Sequence, residues 1–328
     1  LRAQLAAHRL AEQRLQELVG RRGEGPVTAA MHELLAYSER VVRAAISGLP
    51  DGRCEAEDVL ESPQGDLVIR ASVTIAGDEI AIDFAGTAPQ YEGNLNCPLA
   101  VTRSAAYFVV RCLTAPDLPA SGGAFAPVTV TAPEGCVVNA RPPAAVAAGN
   151  VETSQCIVDA LYGALGILAA SQGTMNNLTF GDARLQYYET ICGGAGAGPD
   201  FDGCDAVHTH MTNSRLTDPE ILEGEFPVLV REFAIRHGSG GAGRFHGGDG
   251  TLRRLEFRSA FSGALLANHR RIAPFGLAGG ESGARGEAHI RRADGRRETL
   301  GATASFEVAA GDELTILTPG GGGFGSAD

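Results

Sequence analysis

The sequence predicts a mixed α and β fold of the α+β type, with a helix-containing first half and a glycine-rich, β-rich second half. Three observations predict it. The first fifty residues are rich in Leu, Ala, Gln, Glu and Arg, all good helix formers. Leu67, Ile69, Ala71, Val73 and Ile75 alternate with Val68, Arg70, Ser72 and Thr74, the two-residue period of a strand. The chain holds 44 glycines, and they cluster in loops that separate short strand-like runs.

Residues 1–48 read as two helices. The first ends near Gly20; the second runs from about Val27 to Gly48, with Pro50 just beyond. A link over residues 21–25 predicts an antiparallel pair, suited to pack on a further part of the protein or on a neighbouring subunit. From 52 to 84 the pattern is strand-like. Gly77-Asp78 is a turn signal between the alternating run and residues 80–84, which predicts a hairpin. A helix is expected over 98–113, then Pro- and Gly-rich loops around a short strand at 128–131. A further helix is expected over 152–170, with the polar Asn150 near its start. Beyond 176 the candidate strands are 183–191, 228–236, 252–257, 264–268, 288–292 and 314–317. These elements divide the chain into a helical pair (1–50), an α/β part (51–174) and a β-rich carboxy-terminal part of the same domain (175–328).

Composition excludes several functions. A net charge of −12 argues against a nucleic-acid partner, because phosphate binding needs basic patches. No apolar run reaches the roughly 18–20 residues needed to cross a bilayer, so no membrane association is expected. Lysine is absent, which rules out a Schiff-base lysine and a P-loop lysine. The glycine-rich loops are therefore not a Walker A motif, and any ATP is expected on a partner. Seven cysteines without a Cys-x-x-Cys read as reduced cytoplasmic thiols.

The densest chemistry lies between residues 187 and 215. Tyr188 and Glu189 precede a glycine turn; His208 and His210 follow at i, i+2, then Asn213 and Arg215. In an extended strand the two imidazoles would share a face. His208, His210 and Glu189 are the candidate catalytic residues, as proton carriers or carbonyl-positioning groups. Each also has a structural reading: the histidines as loop-holding hydrogen-bond partners, Glu189 as the mate of an arginine. Tyr188, Asn94, Asn96, Glu152, Asn213 and Arg215 are the candidate substrate contacts. The arginine fork suits a carboxylate or phosphate, and the short polar residues also suit caps and turns. Two histidines alone do not make a metal site.

Beyond these residues, a series of motifs runs along nearly the whole chain. They include Ile82-Asp-Phe-Ala-Gly-Thr, Gly93-Asn-Leu-Asn-Cys-Pro, Gly149-Asn-Val-Glu-Thr-Ser-Gln and Gly173-Thr-Met-Asn-Asn-Leu-Thr-Phe-Gly. Downstream come Ser239-Gly-Gly-Ala-Gly-Arg-Phe-His-Gly-Gly-Asp-Gly, Pro274-Phe-Gly-Leu-Ala-Gly-Gly and Thr318-Pro-Gly-Gly-Gly-Gly-Phe-Gly. In order and spacing they resemble the hydantoinase B/oxoprolinase family of 5-oxoprolinases, N-methylhydantoinases and acetone-carboxylase large subunits. His246 stands where an arginine is common in that family. The family's amino-terminal His-x-x-x-His and Asn-Asp-Pro-x-x-Gly-Gly-Thr-His motifs, which resemble its metal site, do not occur in this sequence. The expectation is a carboxy-terminal portion of a longer hydantoinase B protein.

The resemblance implies a component of an ATP-dependent cyclic amide hydrolase of the hydantoinase or 5-oxoprolinase type. ATP is expected on a hydantoinase A-type partner subunit or domain, and a divalent metal mainly on the amino-terminal hydantoinase B part; the metal ligands of this chain are unknown. Two alternatives stand beside it: an acetone-carboxylase-like ATP-dependent carboxylase, and a non-catalytic assembly module of such a complex.

Overall fold

A computed structural model describes residues 1–114 and 117–327. Residues 115 and 116, in the loop expected after the helix at 98–113, and residue 328 at the expected end of the β-rich part lie outside the described residues. Two units are distinguished: one of residues 1–52, 75–80 and 110–129, the other of the remaining described residues.

The first unit is built on α1 (Arg2–Arg22) and α2 (Glu24–Ile46). Ser38, Val42 and Ile46, spaced by four, form the buried stripe of α2 together with Val27. Helix α1 buries no residue. The expected antiparallel packing is therefore not found. The link is the single residue Gly23, with φ 84°, too short for a helical hairpin turn. Moreover Leu5, Leu10, Leu15 and Leu18 wander around the helix instead of forming one stripe. A short turn at Gly122–Phe125 lies against α2, where a Cβ on Gly123 would sit 2.0 Å from the Leu35 carbonyl oxygen. Arg43 of α2 reaches Asp78 at 3.1 Å and Glu79 at 3.3 Å.

Strands β1 (Gly52–Leu60), β2 (Leu67–Ala76), β3 (Glu79–Asp83) and β4 (Val128–Thr131) form a sheet in that order. The hairpin of β2 and β3 is the one the alternation predicts. Helix α3 (Leu99–Cys112) matches expectation. Helix α4 (Ser154–Leu165) is shorter than expected. Its entry is a π-helical turn over Gly149–Thr153, and it stops where Gly166 takes φ 70°.

The second unit also holds two facing sheets. One runs β12-β9-β5-β6, from β5 (Asn177–Gly181), β6 (Gln186–Thr190), β9 (Phe261–Leu266) and β12 (Thr303–Val308). The other runs β11-β10-β13-β8-β7, from β7 (Val228–Arg236), β8 (Gly250–Phe257), β10 (Glu287–Arg291), β11 (Arg297–Leu300) and β13 (Glu313–Leu317). Inward side chains of both sheets share one core, centred on Phe180, whose ring lies 4.8 Å from Tyr187, 5.3 Å from Phe257 and 5.5 Å from Phe261. Each such aromatic contributes about 1.5–3 kcal/mol by burial. Between β6 and β7 the sequence reading missed α5 (Pro219–Glu225), although Asp218 caps it and Pro219 opens it.

The glycine motifs make a seam of stacked backbones. Gly321 donates to the Gly248 carbonyl at 2.9 Å, and Gly248 donates to Ala195 at 2.9 Å. A Cβ on Gly194 would lie 1.9 Å from the Gly248 oxygen, so only glycine allows the approach. The loop at 238–240 is no free anion nest: Asp249 already accepts the amides of Gly238, Ser239 and Gly240.

Candidate functional site

Strand alternation builds the site. Along β5, Leu178 and Phe180 face the core, so Asn177 and Thr179 face the other way. The register pairs Thr179 with Tyr188 of β6 and with Ala264 of β9, and Asn177 with Leu266. These side chains share the outer face of the sheet. Together with Asn94, Ala147, Ala148 and Val151 they line a cavity of 390 Å³. Its described lining is five aliphatic side chains, a phenol, two carboxamides and a threonine hydroxyl, with no charged group.

Behind the lining lies Glu152, in the π-helical turn and 0% exposed. Its Oε1 accepts from the Thr174 hydroxyl at 2.9 Å, the Met175 amide at 3.1 Å and Asn177 Nδ2 at 2.7 Å. Oε2 is buried without a hydrogen-bond partner. Burial pushes this carboxyl up to about 8, against the pull of those hydrogen bonds and of the Arg270 charge. Burial thus favours the protonated form of Glu152, and its proton belongs on Oε2, because Oε1 already accepts three donors. Asn177 links this carboxyl to the cavity: its Oδ1 accepts the Tyr188 phenol proton at 2.8 Å. Arg270, lowered to about 10 by lost hydration, donates to Asn176 Oδ1 at 2.9 Å.

Of the residues singled out in the sequence, Asn94 and Tyr188 line this cavity, and Glu152 stands behind it. Asn96 does not line it. Its side chain closes a loop on Tyr91, Gly93 and Ala145. Asn213 and Arg215 are exposed on the surface and away from the lining.

Glu189 departs from the expected arrangement. It neighbours Tyr188 in β6 and therefore leaves the sheet on the opposite face. There its carboxylate meets Arg253 through hydrogen bonds of 3.0 and 3.1 Å and accepts the Tyr187 phenol at 2.8 Å. Both partners of the pair are 1% exposed. This is the arginine-mate reading of Glu189, with both carboxylate oxygens engaged.

The two histidines do not sit side by side on a strand. Their segment is irregular, with an isolated bridge between Val207 and Gly193, and His210 takes φ 49°. His210 Nε2 lies 2.9 Å from Asp159 Oδ1, and the ring packs on Phe108 and Tyr162. Asp159 is 0% exposed and also accepts the amide and hydroxyl of Ser171. His208 is half-buried, its Nδ1 has no partner, and burial pushes its pKa down. Neither imidazole belongs to the cavity lining. Cys192 is buried, which pushes its thiol up and away from nucleophile chemistry.

Sequence reasoning did not identify Arg253 or Asp159, and Asn177 entered it as part of the motif that begins at Gly173. Nothing local marks any of the three as a partner; their roles come from residues distant in the chain. Among the described residues no group of three or more His, Cys, Asp or Glu is placed to hold a metal ion. The arrangement can hold a carbonyl compound by hydrogen bonds beside a buried carboxyl.

The family model described as Hydantoinase B/oxoprolinase matches residues 1–327. 5-oxoprolinase 1 of Arabidopsis thaliana is 42% identical over 342 residues, covering 99% of this chain and 27% of its own length. The chain thus spans about a quarter of that relative. Among solved structures, the ATP-dependent caprolactamase from Pseudomonas jessenii aligns with a TM-score of 0.86 at 27% identity, over 99% of this chain and 60% of the other. Nucleotide-free acetone carboxylase aligns with a TM-score of 0.85 at 17% identity, over 95% of this chain and 50% of the other.

Proposed function

Because the chain belongs to the hydantoinase B/oxoprolinase family, we propose that it is one component of an ATP-dependent enzyme that hydrolyses a cyclic amide, of the hydantoinase or 5-oxoprolinase type. ATP binds a hydantoinase A-type partner subunit or domain, and further hydantoinase B segments complete the enzyme. The observation that carries the reading is the uncharged cavity beside Glu152, in a chain 42% identical to a 5-oxoprolinase.

The chemistry is consistent with that division of labour. An unstrained amide is resonance-stabilised; transfer of a phosphoryl group to its oxygen turns that oxygen into a leaving group. This chain, without lysine, supplies binding and orientation. Tyr188 and Asn94 contact the substrate, and Asn177 and Glu152 hold Tyr188 in place. His210 and Glu189 act on the scaffold through Asp159 and Arg253. Among the described residues no helix is long and apolar enough to cross a membrane. The seven cysteines are free thiols, which supports a cytoplasmic setting.

Likeness to acetone carboxylase at 17% identity is a likeness of fold, so ketone carboxylation enters as the competing arm of the test. The complex is reconstituted with its hydantoinase A-type partner and assayed for phosphate release with hydantoin, 5-oxoproline, or acetone plus bicarbonate. Phosphate release coupled to ring opening is expected. Carboxylation of acetone, or ring opening that proceeds equally without ATP, would contradict the proposal.

A further inference from the structure

The hydrogen-bond chain behind the cavity has a fixed direction. Asn177 Nδ2 carries two hydrogens, and both are used: one on Glu152 Oε1 at 2.7 Å, one on the Leu266 carbonyl at 3.0 Å. Glu152 Oε1 is itself held as an acceptor by Thr174 and the Met175 amide. A flipped Asn177 would set its carbonyl oxygen against two acceptors, so Oδ1 must point to Tyr188. Tyr188 donates its single proton there, at 2.8 Å. Toward the cavity its oxygen then offers lone pairs only.

We propose that Tyr188 Oη is the acceptor that selects a ligand N–H, so that the cavity takes a small ring amide with a free N–H and discriminates against analogues that lack it. This rests on the reading of the cavity as the substrate site. The rest of the lining agrees. It is mostly aliphatic, which suits the apolar body of a small ring. Asn94 adds a carboxamide that can donate to the ring carbonyl. The selection is set at a distance, since Glu152 fixes Asn177 and Asn177 fixes the direction of the phenol.

The test is binding of δ-valerolactam, δ-valerolactone and N-methyl-δ-valerolactam to the full chain, by titration without ATP. The lactone has nearly the size of the lactam but no N–H, which separates hydrogen bonding from bulk. Wild type should bind the lactam on the order of tenfold more tightly than the lactone or the N-methyl lactam, the value of one buried hydrogen bond. Tyr188 is 53% exposed, so Tyr188→Phe leaves folding intact. In that variant the lactam-to-lactone preference should fall to about twofold or less. Equal binding of lactam and lactone in wild type overturns the proposal. So does a preference that survives Tyr188→Phe, or the absence of binding by all three probes. Failure of the hydrolase reading looks different: the complex opens no cyclic amide, while the chain still prefers the lactam in a Tyr188-dependent way.

Discussion

Tyr188 and Glu189 are neighbours in β6 and face opposite ways: Tyr188 donates to Asn177 at 2.8 Å on the cavity side, and Glu189 pairs with Arg253 at 3.0 Å on the core side. One step along the strand separates a group open to a ligand from a group enclosed in the fold.

The enclosed pair makes the first prediction. Arg253→Met alone leaves the Glu189 carboxylate buried without its cation and should cost about 3–5 kcal/mol of stability. The double variant Arg253→Met with Glu189→Leu should recover most of that loss. Chemical denaturation of the two variants checks it; a single variant as stable as wild type would remove the structural role of the pair.

Glu152 makes a prediction in pH. Its folded pKa lies near 8, above the ordinary carboxyl range. Its contribution to stability is therefore full below that ordinary range and is lost as pH rises toward and through about 8. Asp58, raised to about 6 by burial, acts with the same sign in a lower window. Glu152→Gln cannot ionise and isolates the first effect. Between pH 5 and pH 8.5 the variant should gain at least about 1.4 kcal/mol relative to wild type, one pKa unit of linkage. Stability curves that stay parallel over this range would show that Glu152 ionises normally.

His210 is held by Asp159 at 2.9 Å and by two aromatic rings. Removing it leaves a buried carboxylate short of a partner and a hole where the ring was. His210→Ala should cost about 2–4 kcal/mol, with turnover of the assembled enzyme falling only as its folded fraction falls. Lost turnover at an unchanged melting temperature would return His210 to the chemistry.

The glycine seam predicts a contrast between two alanines. Gly194→Ala drives a Cβ to 1.9 Å from the Gly248 carbonyl oxygen and should prevent a soluble fold. Gly224, in α5, has open space around it, and Gly224→Ala should be neutral or stabilise by up to about 1 kcal/mol. Expression of both variants and thermal melting of the soluble ones settle the matter. A soluble, native Gly194→Ala protein would deny the close backbone approach.

Much of the fold was legible because its signals are local. The alternation at 67–75, the turn at Gly77-Asp78 and the late strands are periods and punctuation read over a few residues. Helix α4 was overextended because the left-handed turn at Gly166 looks like any glycine inside an apolar run. Strand β5 was missed because five residues beginning with Asn177 carry little strand propensity; its pairing with β6 and β9 supplies the stability. The site was legible only in its inventory. Tyr188, Asn94 and Glu152 stood out as polar groups near glycine turns, yet nothing local says which face of β6 is core. The partners that decide roles are distant in sequence: Arg253 from Glu189, Asp159 from His210, Asn177 from Glu152. They are set by tertiary packing, which a period cannot reveal.

The central claim is that the cavity on the Tyr188 side of the sheet holds the substrate. Ala264 lies in its lining, partly exposed. The most direct measurement is ATP-dependent ring opening by the assembled enzyme carrying Ala264→Phe, with the melting temperature taken on the same sample. A phenyl ring there fills the space a ring amide would occupy, and turnover should fall at least about tenfold with little change in melting temperature. Wild-type turnover from a folded Ala264→Phe enzyme would place the substrate elsewhere and contradict the account.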